Sequence, residues 1–294
     1  MGYKVDNAII MAAGMSSRFA PLSYEKPKAL ISVKGEVLIE RQIRQLQEVG
    51  IKEIIIVVGY KKEQFRYLEE QYGVILIENP EFSVRNNNSS IYAARNYLKN
   101  SYICSADNYF AVNPFETEVG ESYYAAVYAD GKTEEWCMEY DDMGWITDVS
   151  IGGENKWYML GHVFWSEGFS RRFRVLLENI YNEPDTADKF WENIYMEHIE
   201  EFPLKIRKYD SGVIYEFDSL DELRGFDNSY KVDTHSEIIK YCARELNSRE
   251  EELIDFRPIK DTVGQVCGCF FVNKGILYSY DYKSAELKKG EMIL

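Results

Sequence analysis

The residues of this 294-residue chain whose types and spacing could do chemistry begin close to its N-terminus. Residues 7–30 read NAIIMAAGMSSRFAPLSYEKPKAL. The apolar run over 8–12 is short and sharply bounded, as a buried strand of a parallel sheet should be. It gives way to Ala12, Ala13 and Gly14, side chains too small to block a phosphate from consecutive backbone N–H groups. Arg18 and Lys28 bring the matching positive charge. Much later, Asp107 follows a strand-like run at 102–105, at the strand end where open α/β sheets bind ligands. A carboxylate there suits Mg2+ held between phosphates, because that ion usually takes only one or two protein carboxylates. Glu216 and Asp218 lie two apart in a run that reads as a strand over 213–219. Alternation predicts that they share its face, where they would converge with Asp107 on one ion. Capping of the next helix is the plainer role for Asp218 or Ser219.

The ordered combination of strand, A-A-G, S-S-R and P-K-A-L is more than small-residue punctuation. G-x-x-S-R followed by P-K-A-L at the head of an α/β chain resembles the nucleotidyltransferases that activate sugar phosphates and alcohol phosphates with a nucleoside triphosphate. The signatures G-x-G-x-x-G and G-x-x-x-x-G-K-[ST] are absent from the stretch. The resemblance runs from about residue 7 to residue 223. In the cytidylyltransferases of this group a segment like N-N-x-x-S of 86–90 lines the nucleobase pocket, which implies Asn87 and Ser90 at the cytosine edge. Helix capping is the alternative for the serines.

A second chemistry is suggested by tryptophans joined to acids, at 133–136 (TEEW) and 188–193 (DKFWEN). A quaternary ammonium donates no hydrogen bonds and must be held by ring faces and nearby negative charge, with about 0.5–2 kcal/mol from each well-placed ring. Both segments resemble the positions where bacterial CTP:phosphocholine cytidylyltransferases build a choline pocket, which implies Trp136, Asp188 and Trp191 as acceptor contacts. The expected reaction is then in-line attack of phosphocholine on the α-phosphate of CTP, giving CDP-choline and pyrophosphate. Backbone amides of Ala12, Ala13 and Gly14 with Arg18 would hold the triphosphate, and Lys28 would bridge the α-phosphate and the incoming phosphate. Asp107, Glu216 and Asp218 would hold Mg2+. Phosphoethanolamine and 2-aminoethylphosphonate are the nearest rival acceptors, since a primary ammonium wants hydrogen-bonding carboxylates more than rings. A sugar 1-phosphate ranks lower, followed by a regulatory nucleotide-binding module that has lost the reaction.

These residues need a scaffold, and the pattern supplies one. Leu38, Ile39, Ile43 and Leu46 share a helical face that ends at Gly50, a glycine suited to a C-cap. Strands are predicted at 53–59 and 74–77 with a helix over 62–72 between them, and a further helix spans 91–98. Beyond Asp107 come strands at 123–128, 136–140, 145–149, 159–165 and 204–208, with helices at 166–181 and 186–198. The alternation predicts an α/β fold: a Rossmann-like, mixed but mostly parallel sheet with helices on both faces. That nucleotidyltransferase domain is placed at 1–230. Residues 231–294 read as a small α+β extension with helices at 236–246 and 249–254 and a hairpin around 273–275. It is either an accessory element or the start of a kinase-like lobe.

Composition sets outer limits. A net charge of −15 argues against a nucleic-acid partner, and it means that an anionic triphosphate must be drawn in by the local field of Arg18, Lys28 and metal ions. No apolar run approaches the roughly 20 residues of a membrane helix, and the N-terminus carries no signal-like segment. Five scattered cysteines, an odd number, suit a reducing compartment better than a disulfide framework. Cytoplasm is therefore the expected location, and homo-oligomerisation is left open.

Overall fold

Uninterrupted apolar strands can be buried on both faces, and three such strands form the centre of this computed structural model, which describes residues 2–262 and 264–292. Asn7–Ala12 pairs in parallel with Glu53–Val58 on one side and Ser101–Ser105 on the other. They belong to a seven-stranded sheet ordered Lys205–Tyr209, Tyr123–Tyr140, Ile146–Trp165, Ser101–Ser105, Asn7–Ala12, Glu53–Val58 and Ile75–Glu78. Its pairings are parallel except for the two made by Ile146–Trp165, which runs antiparallel to both neighbours. The mostly parallel α/β architecture expected from sequence is the one observed.

The chain folds as two units, Met1–Gly14 with Leu38–Glu216 and Met15–Val37 with Phe217–Leu294. In the first, helix Leu38–Glu48 buries Leu38, Ile39, Ile43 and Leu46 as its periodicity requires, and Gly50 takes a φ of 90° just beyond its end. Helix Glu167–Ile180 is capped by the Ser166 hydroxyl, which accepts from Phe169 N. Its Phe169, Phe173 and Leu177 join Trp165, Trp191, Ile194 and Phe202 in the core. The strands expected at 123–128 and 136–140 are one continuous strand, and those at 145–149 and 159–165 are another. Their middle parts pair with each other and bury little, so their polar sequences carry no strand signal.

The second unit is built on an antiparallel sheet ordered Leu253–Lys260, Val266–Asn273, Ile276–Asp281 and Glu286–Met292. The hairpin prediction holds: Asn273 pairs with Ile276 across Lys274 and Gly275, whose φ values of 50° and 74° are those of a primed two-residue turn. The helix expected at 249–254 is a 3-10 turn, Glu250–Glu252, that leads straight into a strand. Buried Arg224 ties this region together by donating to the carbonyls of Glu250 and Leu253, each at 2.7 Å. Residues 15–37 belong here through Lys34 N to Asp227 at 2.6 Å and the Tyr230 hydroxyl to Ser32 O at 2.7 Å.

One buried group in the first unit makes the fold acid-sensitive. His162 is fully enclosed, and its Nε2 lies 2.7 Å from the Tyr123 hydroxyl and 3.3 Å from that of Tyr209. Burial, reinforced by the Arg207 charge, pulls its pKa down to about 3 from an ordinary 6.5. A depressed pKa means that the unfolded chain takes up the proton first. The stability contributed by neutral His162 is therefore present above about pH 6.5 and lost progressively as pH falls toward about 3. Urea unfolding midpoints measured across this window should fall more steeply for the native chain than for His162→Gln, which keeps an acceptor for the tyrosines and cannot titrate.

Candidate active site

The stretch expected to bind phosphate begins where strand Asn7–Ala12 stops. Ala12 and Ala13 are buried, and the Ala13 carbonyl accepts from Tyr60 N at 3.0 Å. Gly14 is exposed, and a Cβ built on it would meet no atom within 4 Å. Its missing side chain thus leaves open space rather than relieving strain.

Arg18 lies in the 3-10 turn Ser17–Phe19 of the second unit. Its side chain is 75% exposed, and Nη1 lies 2.8 Å from an Asp218 carboxylate oxygen. Lys28 is only 5% exposed, with Nζ 3.9 Å from the other Asp218 oxygen and 5.6 Å from the Phe19 ring centre. The structure therefore brings both predicted cations to one predicted carboxylate. An exposed pair such as Arg18 and Asp218 contributes little stability, so exchanging it for a phosphate contact costs little.

The strand expected over 213–219 is confined to Ile214–Tyr215. Strand alternation therefore does not set Glu216 beside Asp218. Asp218 instead precedes helix Leu220–Phe226, which Ser219 caps by accepting from Glu222 N at 3.2 Å. The Asp218 amide donates to the Glu222 side chain at 2.9 Å, leaving the Asp218 carboxylate to the two cations.

Asp107 follows strand Ser101–Ser105 as predicted, and its turn is pinned from helix Leu38–Glu48. Gln42 donates to the carbonyls of Ser105 and Asn108 at 2.9 and 2.8 Å, and Gln45 donates to that of Phe110 at 3.0 Å. Arg41 adds bonds to the Phe110 and Ala111 carbonyls. Tyr109–Phe110 pairs with Ile214–Tyr215, and Asn108 then donates to the Glu216 carboxylate at 3.1 Å. The glutamines were not among the residues singled out from sequence. Their signal was two amides set into an apolar helical stripe. Among the described residues, no three or more His, Cys, Asp or Glu side chains cluster as a ready-made metal site. The expected three-carboxylate cluster is thus not preassembled, whereas scattered single carboxylates suit Mg2+ that takes its other ligands from phosphate and water.

The residues expected to contact the acceptor divide differently from that expectation. Trp191 is 1% exposed, stacked on Tyr124 with ring centres 5.8 Å apart and edge-on to Trp165 at 5.1 Å. It is a core residue. The ring that meets Trp136 is Phe190, 5.7 Å away and perpendicular, and Phe190 is 43% exposed. Asp188 is exposed beside it. The helix expected over 186–198 spans only Trp191–Glu197.

Asn87 and Ser90 are engaged within the protein. Ser90 is buried and accepts from Asn79 at 3.2 Å. Asn87 accepts from Trp191 N at 2.7 Å and donates to Glu192 at 3.1 Å. Glu192 is the residue that sequence reasoning passed over. It is 8% exposed, takes a second bond from the Tyr124 hydroxyl at 3.3 Å, and burial pushes its carboxyl up to about 7.

Gly14 borders open space after the first strand, Arg18 and Lys28 share Asp218, and Asp107 follows strand Ser101–Ser105. Residues 8–140 match the family described as the MobA-like NTP transferase domain. The choline-phosphate cytidylyltransferase of Streptococcus pneumoniae is 36% identical over 224 residues, 76% of this chain and 98% of that enzyme. The chain belongs to the nucleotidyltransferase family. A further member, the 2-aminoethylphosphonate cytidylyltransferase of Lancefieldella rimae, is 40% identical over 228 residues, 76% of this chain and 93% of that one. The solved CTP:phosphocholine cytidylyltransferase of Streptococcus pneumoniae superposes with a TM-score of 0.74, covering 78% of this nucleotidyltransferase and all of that chain.

The two aromatics that adjoin at 190 and 191 should respond oppositely to truncation. Trp191→Ala removes a core ring and should lower unfolding stability by about 3–5 kcal/mol. Phe190→Ala should stay within about 1 kcal/mol of the native chain, its loss showing instead in acceptor affinity. Paired urea titrations and acceptor KM values test this.

Proposed function

We propose that the enzyme transfers the cytidylyl group of CTP to phosphocholine, releasing pyrophosphate. The observation that carries the acceptor is the perpendicular Trp136 and Phe190 ring pair, with exposed Asp188 and the buried carboxylate of Glu192 on the same segment as Phe190. A quaternary ammonium has no N–H to offer, so ring faces with nearby negative charge are the chemistry that holds it. Its phosphate is the nucleophile, and no covalent enzyme intermediate is required.

The protein's own groups supply position and charge. The backbone of Ala12 to Gly14 and the Arg18 guanidinium receive the triphosphate, with Arg18 leaving Asp218 for phosphate oxygens. Lys28, buried and little screened, bridges the α-phosphate and the incoming phosphate, so that in-line attack is not opposed by the repulsion of two anions. Members of this family generally use Mg2+. Asp107, Glu216 and Asp218 offer the oxygens that would hold it, and the ion would neutralise charge on the departing pyrophosphate. An accessory role is assigned to residues 231–294.

The 40% identity to a 2-aminoethylphosphonate enzyme favours a second reading, in which a primary ammonium uses its three donors on carboxylates such as Asp188 and Glu192. Turnover with CTP of phosphocholine, phosphoethanolamine and 2-aminoethylphosphonate separates the two. The highest kcat/KM is expected for phosphocholine, and a preference for either primary amine replaces it with the second reading.

Lys28→Met keeps the buried stem and removes the charge. It should lower kcat by about 10²–10³-fold, the range for losing one preorganised charge-stabilising donor. Pyrophosphate release measures the loss, and circular dichroism checks the fold. Near-native turnover would remove Lys28 from the mechanism.

A further inference from the structure

Three consecutive asparagines reach one segment about a hundred residues further along. Asn86 N donates to Ala187 O at 2.8 Å and its side chain to Asp188 O at 3.1 Å. Asn88 is buried, and its amide donates to the carbonyls of Thr186, at 2.8 Å, and Lys189. Between them, Asn87 accepts from Trp191 N at 2.7 Å and donates to the Glu192 carboxylate at 3.1 Å. These bonds occupy main-chain groups that a helix over 186–190 would need, so the segment stays irregular and starts its helix only at Trp191.

Glu192 supplies the second observation. Its partners among the described residues are neutral donors, the Asn87 amide and the Tyr124 hydroxyl. The charged or titratable groups that act on the Tyr124 hydroxyl include Glu216 and Tyr195, neither of them a cation. A carboxylate buried with only neutral donors is uncompensated. It lies two residues from Phe190, whose ring meets Trp136, and a bound cation there would complete it.

We infer that Asn87 is a positioning residue for the acceptor: it fixes the start of helix Trp191–Glu197 and presents the Glu192 carboxylate to the acceptor's cationic head. Asn86 and Asn88 clamp the approach to it. The inference rests on the reading of the acceptor as a cationic phosphate or phosphonate. It assigns Asn87 to acceptor recognition and away from the nucleobase. With the Glu192 carboxyl at about 7, acceptor binding should tighten as pH rises through that value, because the carboxylate form attracts the cation.

The test is steady-state kinetics of the full chain with CTP and phosphocholine, comparing Asn87→Ala, Glu192→Gln and the double variant. Each single change should raise the acceptor KM about tenfold, the scale of one charge-assisted contact, while the KM for CTP moves less than about twofold. The double variant should be no worse than the weaker-binding single one, because the two residues act as a unit. Glu192→Gln should also flatten the dependence of acceptor KM on pH near 7. A rise confined to the KM for CTP, an equal rise in both constants, or a lowered unfolding midpoint with both constants unchanged overturns the inference. If Asn87→Ala does not fold, Glu192→Gln decides alone by the same two readouts. Absence of native turnover with phosphocholine and with 2-aminoethylphosphonate overturns the acceptor reading and this inference together. Native turnover with an unmoved acceptor KM in the variants overturns only the inference.

Discussion

A loop buried at the end of a parallel sheet must find partners for its own carbonyls and amides, because an unpaired buried polar group costs about 1–3 kcal/mol. Side-chain amides supply those partners in this enzyme. Gln42 and Gln45 take the carbonyls of the Asp107 turn. Asn79 holds Ser89 and Ser90 at the start of helix Asn88–Ala94. Asn86, Asn87 and Asn88 hold the segment that carries Asp188, Phe190 and Glu192. The Asp107 turn and the stretch from Asp188 to Phe190 are irregular backbone, and these amides hold it.

Charge is handled locally because the chain as a whole repels its own substrate. A net charge of −15 disfavours a triphosphate, yet Arg18 and Lys28 converge on a single carboxylate. That arrangement holds two cations near each other without ligand, where mutual repulsion would otherwise separate them. Glu192 is the opposite case, a buried carboxyl met by neutral donors. One end of the reaction needs excess positive charge for phosphates and the other needs a carboxylate for an amine or ammonium.

The sheet was legible because its strands obey local rules. Runs at 8–12 and 53–58 are apolar throughout or nearly so, and the helix between them shows a clean 3.6-residue stripe. The antiparallel ribbon of Tyr123–Tyr140 with Ile146–Trp165 was read in pieces, because its outer half is held by pairing and has no core to reveal it. Of the residues expected at the site, Arg18 and Lys28 meet at Asp218 and Asp107 follows its predicted strand. Trp191 does not serve as expected, since two aromatics in succession must point in different directions and the sheet core takes the second.

The sequence by itself determined the mostly parallel α/β class, the family motif at 14–30 and the residue types available for a cationic acceptor, all of which depend on neighbours within a few residues. Tertiary structure decided which ring faces Trp136, how Asp218 is shared by Arg18 and Lys28, and what Asn87 holds. Each of those depends on residues far apart in the chain meeting in space, and local periodicity carries no record of them.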